Sequence, residues 1–375
     1  MKLLSLHVRD FRNLAQVTLA PSPRATILIG ENGQGKTNLL ESIYVLTTLK
    51  PLRATRLAEL VRFGEGGAEV AGDFDGAGGV RRVAVRIKDG GRTAYLDGKP
   101  QEKLDDYFEG LAAVCFSPDD LLLVKGGPEG RRRFLDRAAF NRWPAVLGEA
   151  REYLRALRAR NAALRGGLGA IEDSFRQPLV RAGARLLVRR RALIAELAPR
   201  VQAAFAEISG PGAPAARLDY RAAAGMRLEG DEPTLAARLA EALESRSARD
   251  AERGYTSAGP HMDDLILALD GKGARPYGSQ GQQRALVLAL KIAEIENLRV
   301  ALSRPPLLLL DDVSSELDPA KNRFLLGYLA QLPGQAFLTS TDERLLAPAA
   351  GPDSAFFRVV AGGISPLISR VISTP

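Results

Sequence analysis

The sequence predicts an α/β fold, a parallel sheet with a helical lobe inserted into it, on three observations. An apolar run, Ala25–Ile29, leads through Gly30-Glu-Asn-Gly-Gln-Gly-Lys-Thr37 into a helical segment from Asn38 onward. Four leucines, Leu307 to Leu310, end in Asp311 and Asp312. Between these two segments the hydrophobic period lengthens from that of strands to that of helices.

Leu4, Leu6 and Val8 alternate as a strand, a second strand lies near Val17 and Leu19, and the strand, glycine loop and helix follow. Further strands are expected near Ala68 to Phe74, Val83 to Ile87 and Thr93 to Leu96. From about Asn141 the pattern is helical, with Leu147, Ala150, Leu154, Leu157 and Leu164 forming a stripe that Gly166 and Gly167 stop. A partner helix carries Leu179, Leu186, Leu193, Leu197, Val201, Phe205 and Ile208, and Pro199 should kink or divide it. Asp231-Glu-Pro233 opens a third helix with Leu235, Leu239 and Leu243. Strand signals resume at Leu265, Leu267 and Leu269. The expected organisation is therefore a first half of the head at 1–135, the inserted helical lobe at 136–255 and the second half of the head at 256–375.

The glycine loop fits G-x-x-x-x-G-K-[ST] in its required setting between strand and helix. Gly30, Gly33 and Gly35 let the backbone wrap closely around an anion, so the N–H groups of the loop, including those of Glu31, Asn32 and Gln34, can point at a phosphate. Lys36 would bridge β- and γ-phosphates of ATP or GTP, and Thr37 would ligate Mg²⁺. Asp311 leaves the carboxyl end of a buried strand, where open α/β sheets keep their ligands, and would hold Mg²⁺. Asp312 would orient or deprotonate the attacking water. It is shorter than glutamate, so slow turnover is expected.

The 375 residues, 46% of them apolar, suffice for a sizeable core, and no stretch reaches membrane-spanning length without charge. A cytoplasmic location without a membrane partner is the expectation. Cys115 is the single cysteine and His7 and His261 the two histidines, which excludes an intramolecular disulfide and argues against zinc chemistry. The net charge of +8 favours a polyanionic partner. Arginines concentrate at 131–133, at Arg151, Arg155, Arg158 and Arg160, and at 189–191. They suit phosphate contacts, a solvated helix face or ion pairs at the join between lobes.

Ser279-Gln-Gly-Gln-Gln-Arg284 opens a further helix and resembles the signature motif of ABC-type ATPases. The resemblance implies that Ser279, Gly281 and Gln282 hold the γ-phosphate of ATP on a second protomer, so that ATP drives homodimerisation. Pro118 through Asp136 and Leu309 through Leu325, together with Asp10-Phe-Arg-Asn-Leu14 and Gly254 through Asp264, resemble the bacterial recombination-mediator family RecF over nearly the whole chain. This implies an ABC/SMC-like P-loop ATPase head with an inserted helical lobe and a weak, DNA-stimulated ATPase. Arg12 and Asn13 would lie near the nucleotide. Implied partners are double-stranded DNA and single-strand/duplex junctions, with RecO, RecR and a RecA-type recombinase, in gap repair, replication maintenance and SOS induction. Met262 stands where the family is expected to carry arginine. The competing reading, an ABC transport ATPase subunit, commonly has a histidine after the magnesium strand. Here the chain reads Phe337-Leu-Thr-Ser-Thr-Asp342, leaving Ser340 or Thr341 as the γ-phosphate switch.

Overall fold

The computed structural model describes residues 1–53, 56–76, 79–167, 169–312, 317–346 and 351–367, with backbone alone at 169–173. The stretch at Ser315 and Glu316, part of the expected family signature after Asp312, lies outside the described residues. The chain divides into two compact units, Met1–Asp120 with Leu298–Pro375, and Leu121–Asn297.

In the first unit, β1 (Lys2–Phe11) and β2 (Leu14–Leu19) precede β3 (Ala25–Ile29), the strand before the glycine loop. Next come β4 (Gly67–Gly76), β5 (Gly79–Lys88), β6 (Gly91–Leu96) and β7 (Lys99–Pro100). They join β1 and β2 in an antiparallel sheet of order β2-β1-β4-β5-β6-β7. The expected inward alternation of β1 begins one residue differently. A register shift between Leu3 and Ser5 turns Leu3 inward and leaves Leu4 42% exposed, while Leu6 and Val8 stay buried.

The second sheet of this unit contains β8 (Ala113–Phe116), β12 (Leu307–Asp311), β13 (Ala336–Ser340), β14 (Ser354–Val360) and β15 (Gly363–Leu367). Its order is β15-β14-β3-β13-β12-β8, with every neighbouring pair parallel except β14 with β15. β8, β12 and β13 are buried throughout, as their unbroken apolar runs require of a parallel sheet covered on both faces. The register pairs Asp311 with Thr339 and Ser340 with Ile29. The carboxyl ends of three adjacent strands therefore share one edge.

The helix Lys36–Thr48 touches β8, β12 and β13 of this sheet and β1, β4 and β5 of the antiparallel one. It is buried nearly all round because it is covered on both sides: Leu39, Leu40, Ile43, Val45 and Leu46 are wholly buried, and Glu41, Ser42 and Thr47 are buried with them. Each such apolar side chain contributes about 1.5–3 kcal/mol. The Tyr107 hydroxyl donates to the Leu46 carbonyl at 2.7 Å near the helix end. This helix clamps the glycine loop to the core.

The second unit holds the helices Pro128–Arg142, Val146–Arg165, Gly169–Ser209 and Glu232–Glu244. It also contains a small sheet, β11-β10-β9, from β9 (Ala216–Arg221), β10 (Asp264–Leu269) and β11 (Lys272–Gly273). The long helix runs through both Pro178 and Pro199 without division. Asp231 caps its helix as expected, its carboxylate accepting from Thr234 N at 3.0 Å. Leu154 does not belong to the buried stripe and is 43% exposed. Leu157 and Leu164 are buried as expected, joined by Tyr153 and Arg160. The periodicity puts the organisational changes at 135/136 and 255/256, whereas the units divide at 120/121 and 297/298. The difference comes from the helix Pro128–Arg142, whose arginines mask its apolar face, and from β10, which pairs with β9 and β11.

Candidate nucleotide site

Gly30 follows β3 so closely behind β14 that an added Cβ would lie 2.3 Å from the Val359 carbonyl oxygen. Gly35, the residue before the helix, has φ 114°, and a Cβ there would meet the Asn13 amide at 2.9 Å. Glycine is required at both places, at the first by space and at the second by conformation. Asn13 is held under the loop by an Asn38 Nδ2 bond to its Oδ1 at 2.8 Å. Gln34 faces the β14–β15 turn: its Oε1 accepts from Ala361 N at 2.7 Å and its carbonyl from Gly362 N at 2.8 Å.

A cleft of about 630 Å³ opens over the loop, lined among others by Arg12, Asn32, Gly33, Lys36, Thr37, Arg53, Asp311 and Asp312. Lys36 is 6% exposed, and its ammonium donates to the carbonyls of Gly30 at 2.6 Å and Glu31 at 2.9 Å. Burial lowers its pKa, while the nearby Asp312, Asp311 and Glu31 carboxylates oppose that shift. Two of its three protons are thus spent on the loop, and the third is available to an anion in the cleft.

Thr37 Oγ1 donates to Asp311 Oδ1 at 2.7 Å, which brings the two residues expected to hold a metal together across 274 positions of sequence. With its proton committed, Thr37 keeps oxygen lone pairs for a cation. The same Asp311 oxygen accepts Thr339 Oγ1 at 3.0 Å, and Asp311 Oδ2 accepts Arg53 Nη2 at 2.6 Å. A hydroxyl and a carboxylate beside an anion cradle are hard oxygen donors and fit Mg²⁺, which takes few protein ligands and completes its shell with phosphate and water. Among the described residues there is no cluster of three or more His, Cys, Asp or Glu that could hold a metal by itself.

Asp312 lines the same cleft with φ 49°, its N–H donating to Thr339 Oγ1 at 2.9 Å. The left-handed backbone turns its side chain away from the strand direction Asp311 follows. Arg12 also has positive φ, 55°, and its Nε bonds Glu41 Oε2 at 3.0 Å. Glu41, 1% exposed, uses its other oxygen to accept the backbone N–H of Leu52 at 3.0 Å and of Arg53 at 3.1 Å. Sequence reasoning missed Arg53, Glu41 and Thr339. Glu41 had a signal, being the one acid of its helix, set between Leu39, Leu40 and Ile43, whereas Arg53 had none.

Ser279, Gly281 and Gln282 belong to the second unit and do not line this cleft. Ser279 precedes the helix Gln280–Leu302, where its hydroxyl accepts from Gln282 N at 3.2 Å and Gln282 Oε1 accepts from Ser279 N at 2.9 Å. This is a reciprocal capping box. Ser279 is exposed, and the helix N-terminus offers its amide edge to solvent. Ser340 is wholly buried with its hydroxyl donating to the Asp342 carbonyl at 2.9 Å, whereas Thr341 is exposed.

Much of the arginine cluster is structural. Arg131 forms a two-pronged pair with Asp264 at 2.7 and 3.0 Å, Arg132 donates to the Asp263 carbonyl at 2.9 Å, and Arg133 pairs with Glu129. Arg160 is fully buried against Asp250 at 2.9 Å, and Arg190 holds Asp136 at 2.6 Å. Arg151, Arg155 and Arg158 remain exposed on one helix face. His261 is a polar-contact residue, between the Tyr153 hydroxyl at 2.6 Å and the Thr256 carbonyl at 2.9 Å. Cys115 is buried, its thiol donating to the Phe116 carbonyl at 3.7 Å.

The family model described as RecF/RecN/SMC N terminal domain matches residues 2–361. The DNA replication and repair protein RecF of Anaeromyxobacter dehalogenans strain 2CP-1 is 79% identical over 372 residues, covering 98% of this chain and 100% of that protein. Its namesake in Myxococcus xanthus strain DK1622 is 56% identical, covering 97% of each chain. A solved structure of the recombination mediator protein RecF with ATPrS, in the RecFOR pathway, superposes with TM-score 0.89 at 28% identity over 98% of both chains. An SMC head bound to the C-winged helix domain of ScpA is similar in fold, with TM-score 0.56 at 16% identity over 98% of this chain and 97% of that one. The fold is an ABC/SMC-like P-loop head carrying an inserted helical lobe.

Proposed function

The chain belongs to the RecF family of DNA replication and repair proteins, and from that premise we propose that it is an ATP-gated DNA clamp of the RecFOR pathway. The observation that carries this reading is the meeting of Lys36, Thr37, Asp311 and Asp312 at one cleft. The similarity to a RecF structure with a bound ATP analogue supports ATP as the nucleotide.

In this reading the loop amides and Lys36 hold the β- and γ-phosphates, while Gly35 keeps the backbone open for them. Thr37 and Asp311 hold Mg²⁺, which when bound draws charge from the phosphate oxygens. Asp312 accepts a proton from the attacking water, and its short side chain keeps turnover slow. Arg12, beside the cleft and fixed by Glu41, approaches the nucleotide with Asn13 behind the loop. Ser279, Gly281 and Gln282 offer their exposed helix N-terminus to the γ-phosphate held by a second copy, so that two heads close around two nucleotides. The closed pair grips duplex DNA next to a single-strand gap, in the cytoplasm, and with RecO and RecR promotes recombinase loading and SOS induction. Hydrolysis, slow and stimulated by DNA, reopens it. The full-length relatives and their repair names support this over a transport subunit.

Fluorescence anisotropy of a gapped duplex tests the gating. Wild type is expected to bind with ATP and Mg²⁺ and to release during turnover, with affinity falling steeply as salt rises. Asp312→Asn should bind equally but dissociate at least about tenfold more slowly, as loss of a general base predicts. Rapid release by Asp312→Asn would remove Asp312 from the gate.

A further inference from the structure

Asp311 is 3% exposed at its side chain, and both of its oxygens already have partners. Oδ1 accepts the hydroxyls of Thr37 and Thr339, and Oδ2 accepts Arg53 Nη2 at 2.6 Å. Oδ1 is filled by two hydroxyls, so a metal contact, direct or through water, falls to Oδ2, where on a side chain this buried it meets the Arg53 guanidinium. Arg53 differs from its acceptor in being 40% exposed, so its head group can turn into solvent at little cost. Its main chain cannot follow, because Glu41 Oε1 holds the N–H groups of Leu52 and Arg53. A second carboxylate is close by: Asp119 Oδ2 lies 3.9 Å from Arg53 Nε and is 67% exposed.

We propose that Arg53 is a built-in competitor for the divalent ion, a tethered cation that pairs with Asp311 until metal and nucleotide displace it toward Asp119. The inference rests on the nucleotide reading of the cleft. The competition is set by geometry and by metal concentration. The buried carboxylate is never left uncompensated, since one cation leaves as the other arrives. Metal affinity is reduced by the fraction of time Arg53 holds Asp311. By reciprocity, a loaded metal weakens the Arg53–Asp311 pair by the same factor.

Mg²⁺ titrations of fluorescent ATP analogue binding to the full chain test this, comparing wild type, Arg53→Ala and Arg53→Lys, with folding checked by circular dichroism and Arg53→Gln replacing a variant that fails to fold. Removing the competitor should lower the half-saturating Mg²⁺ concentration about fivefold or more in Arg53→Ala. Arg53→Lys should fall between that variant and wild type, because lysine keeps the charge and loses the fork. An unchanged or increased Mg²⁺ requirement in Arg53→Ala overturns the proposal. Binding of the analogue to wild type in EDTA and in saturating Mg²⁺ is read separately. Its absence from both would overturn the nucleotide reading and this inference together, whereas binding with an unshifted Mg²⁺ midpoint overturns the inference alone.

Discussion

Asp311 and Lys36 solve the same problem with opposite signs: each is a charge taken largely out of water and held by several short contacts. Asp311 has two hydroxyls and a guanidinium, and Lys36 has two loop carbonyls and three nearby carboxylates. His261 follows the same logic in the second unit, but as a neutral ring. Its Nε2 must donate to the Thr256 carbonyl, so Nδ1 accepts from the Tyr153 hydroxyl. Burial, its largest influence, lowers the pKa of His261. The unfolded chain therefore takes up the proton first, and the stability held by the neutral ring is full above about pH 6.5 and lost as pH falls toward the depressed folded value. Urea midpoints at pH 8 and pH 5 should show a larger acid loss in wild type than in His261→Gln. Equal losses would mean that His261 titrates as it does in the unfolded chain.

The strand–loop–helix element depends on one close approach, Gly30 against the Val359 carbonyl. Gly30→Ala should cost about 1–3 kcal/mol, the range for overpacking, as read from denaturant midpoints. Gly327, helical with open space where a Cβ would go, is the control, and its replacement by alanine should be neutral or slightly stabilising. Equal effects at the two sites would show that the approach to Val359 relaxes freely. Elements of this kind were legible in the sequence because loop spacing and unbroken apolar runs are local signals: β3, the following helix and β12 all lie where those signals put them. The Asp231 cap was legible for the same reason. Leu4 and Leu154 were misread because a bulge and a helix rotation of a fraction of a turn are decided by packing partners elsewhere in the chain. Arg53 was illegible because its acceptor lies 258 residues away, and β8 because its four residues carry no alternation. The arginine cluster showed charge but not its pairing, which long-range carboxylates such as Asp264 and Asp250 supply.

At the scale of the whole molecule, the proposed function draws on two features of different kinds. One is a built cleft in the first unit, and the other is an exposed capped helix start at Ser279 in the second. The cleft brings together Thr37 and Asp311, which would hold a metal, and the glycine loop, whereas the Ser279 segment has only amides and a hydroxyl. In the proposed reading these two would be halves of one composite site, completed when a second copy supplies the missing half. ATP-dependent pairing is thus the central claim, and it distinguishes a clamp from a monomeric nucleotide-binding protein. The measurement that tests it most directly is sedimentation velocity of the purified chain at fixed concentration with a short gapped duplex, with and without ATP and Mg²⁺. The account predicts a monomer without nucleotide and a DNA-bound dimer with it, and no dimer in Lys36→Ala under either condition. A wild-type chain that stays monomeric with ATP, Mg²⁺ and DNA present, or that dimerises equally without ATP, would contradict it.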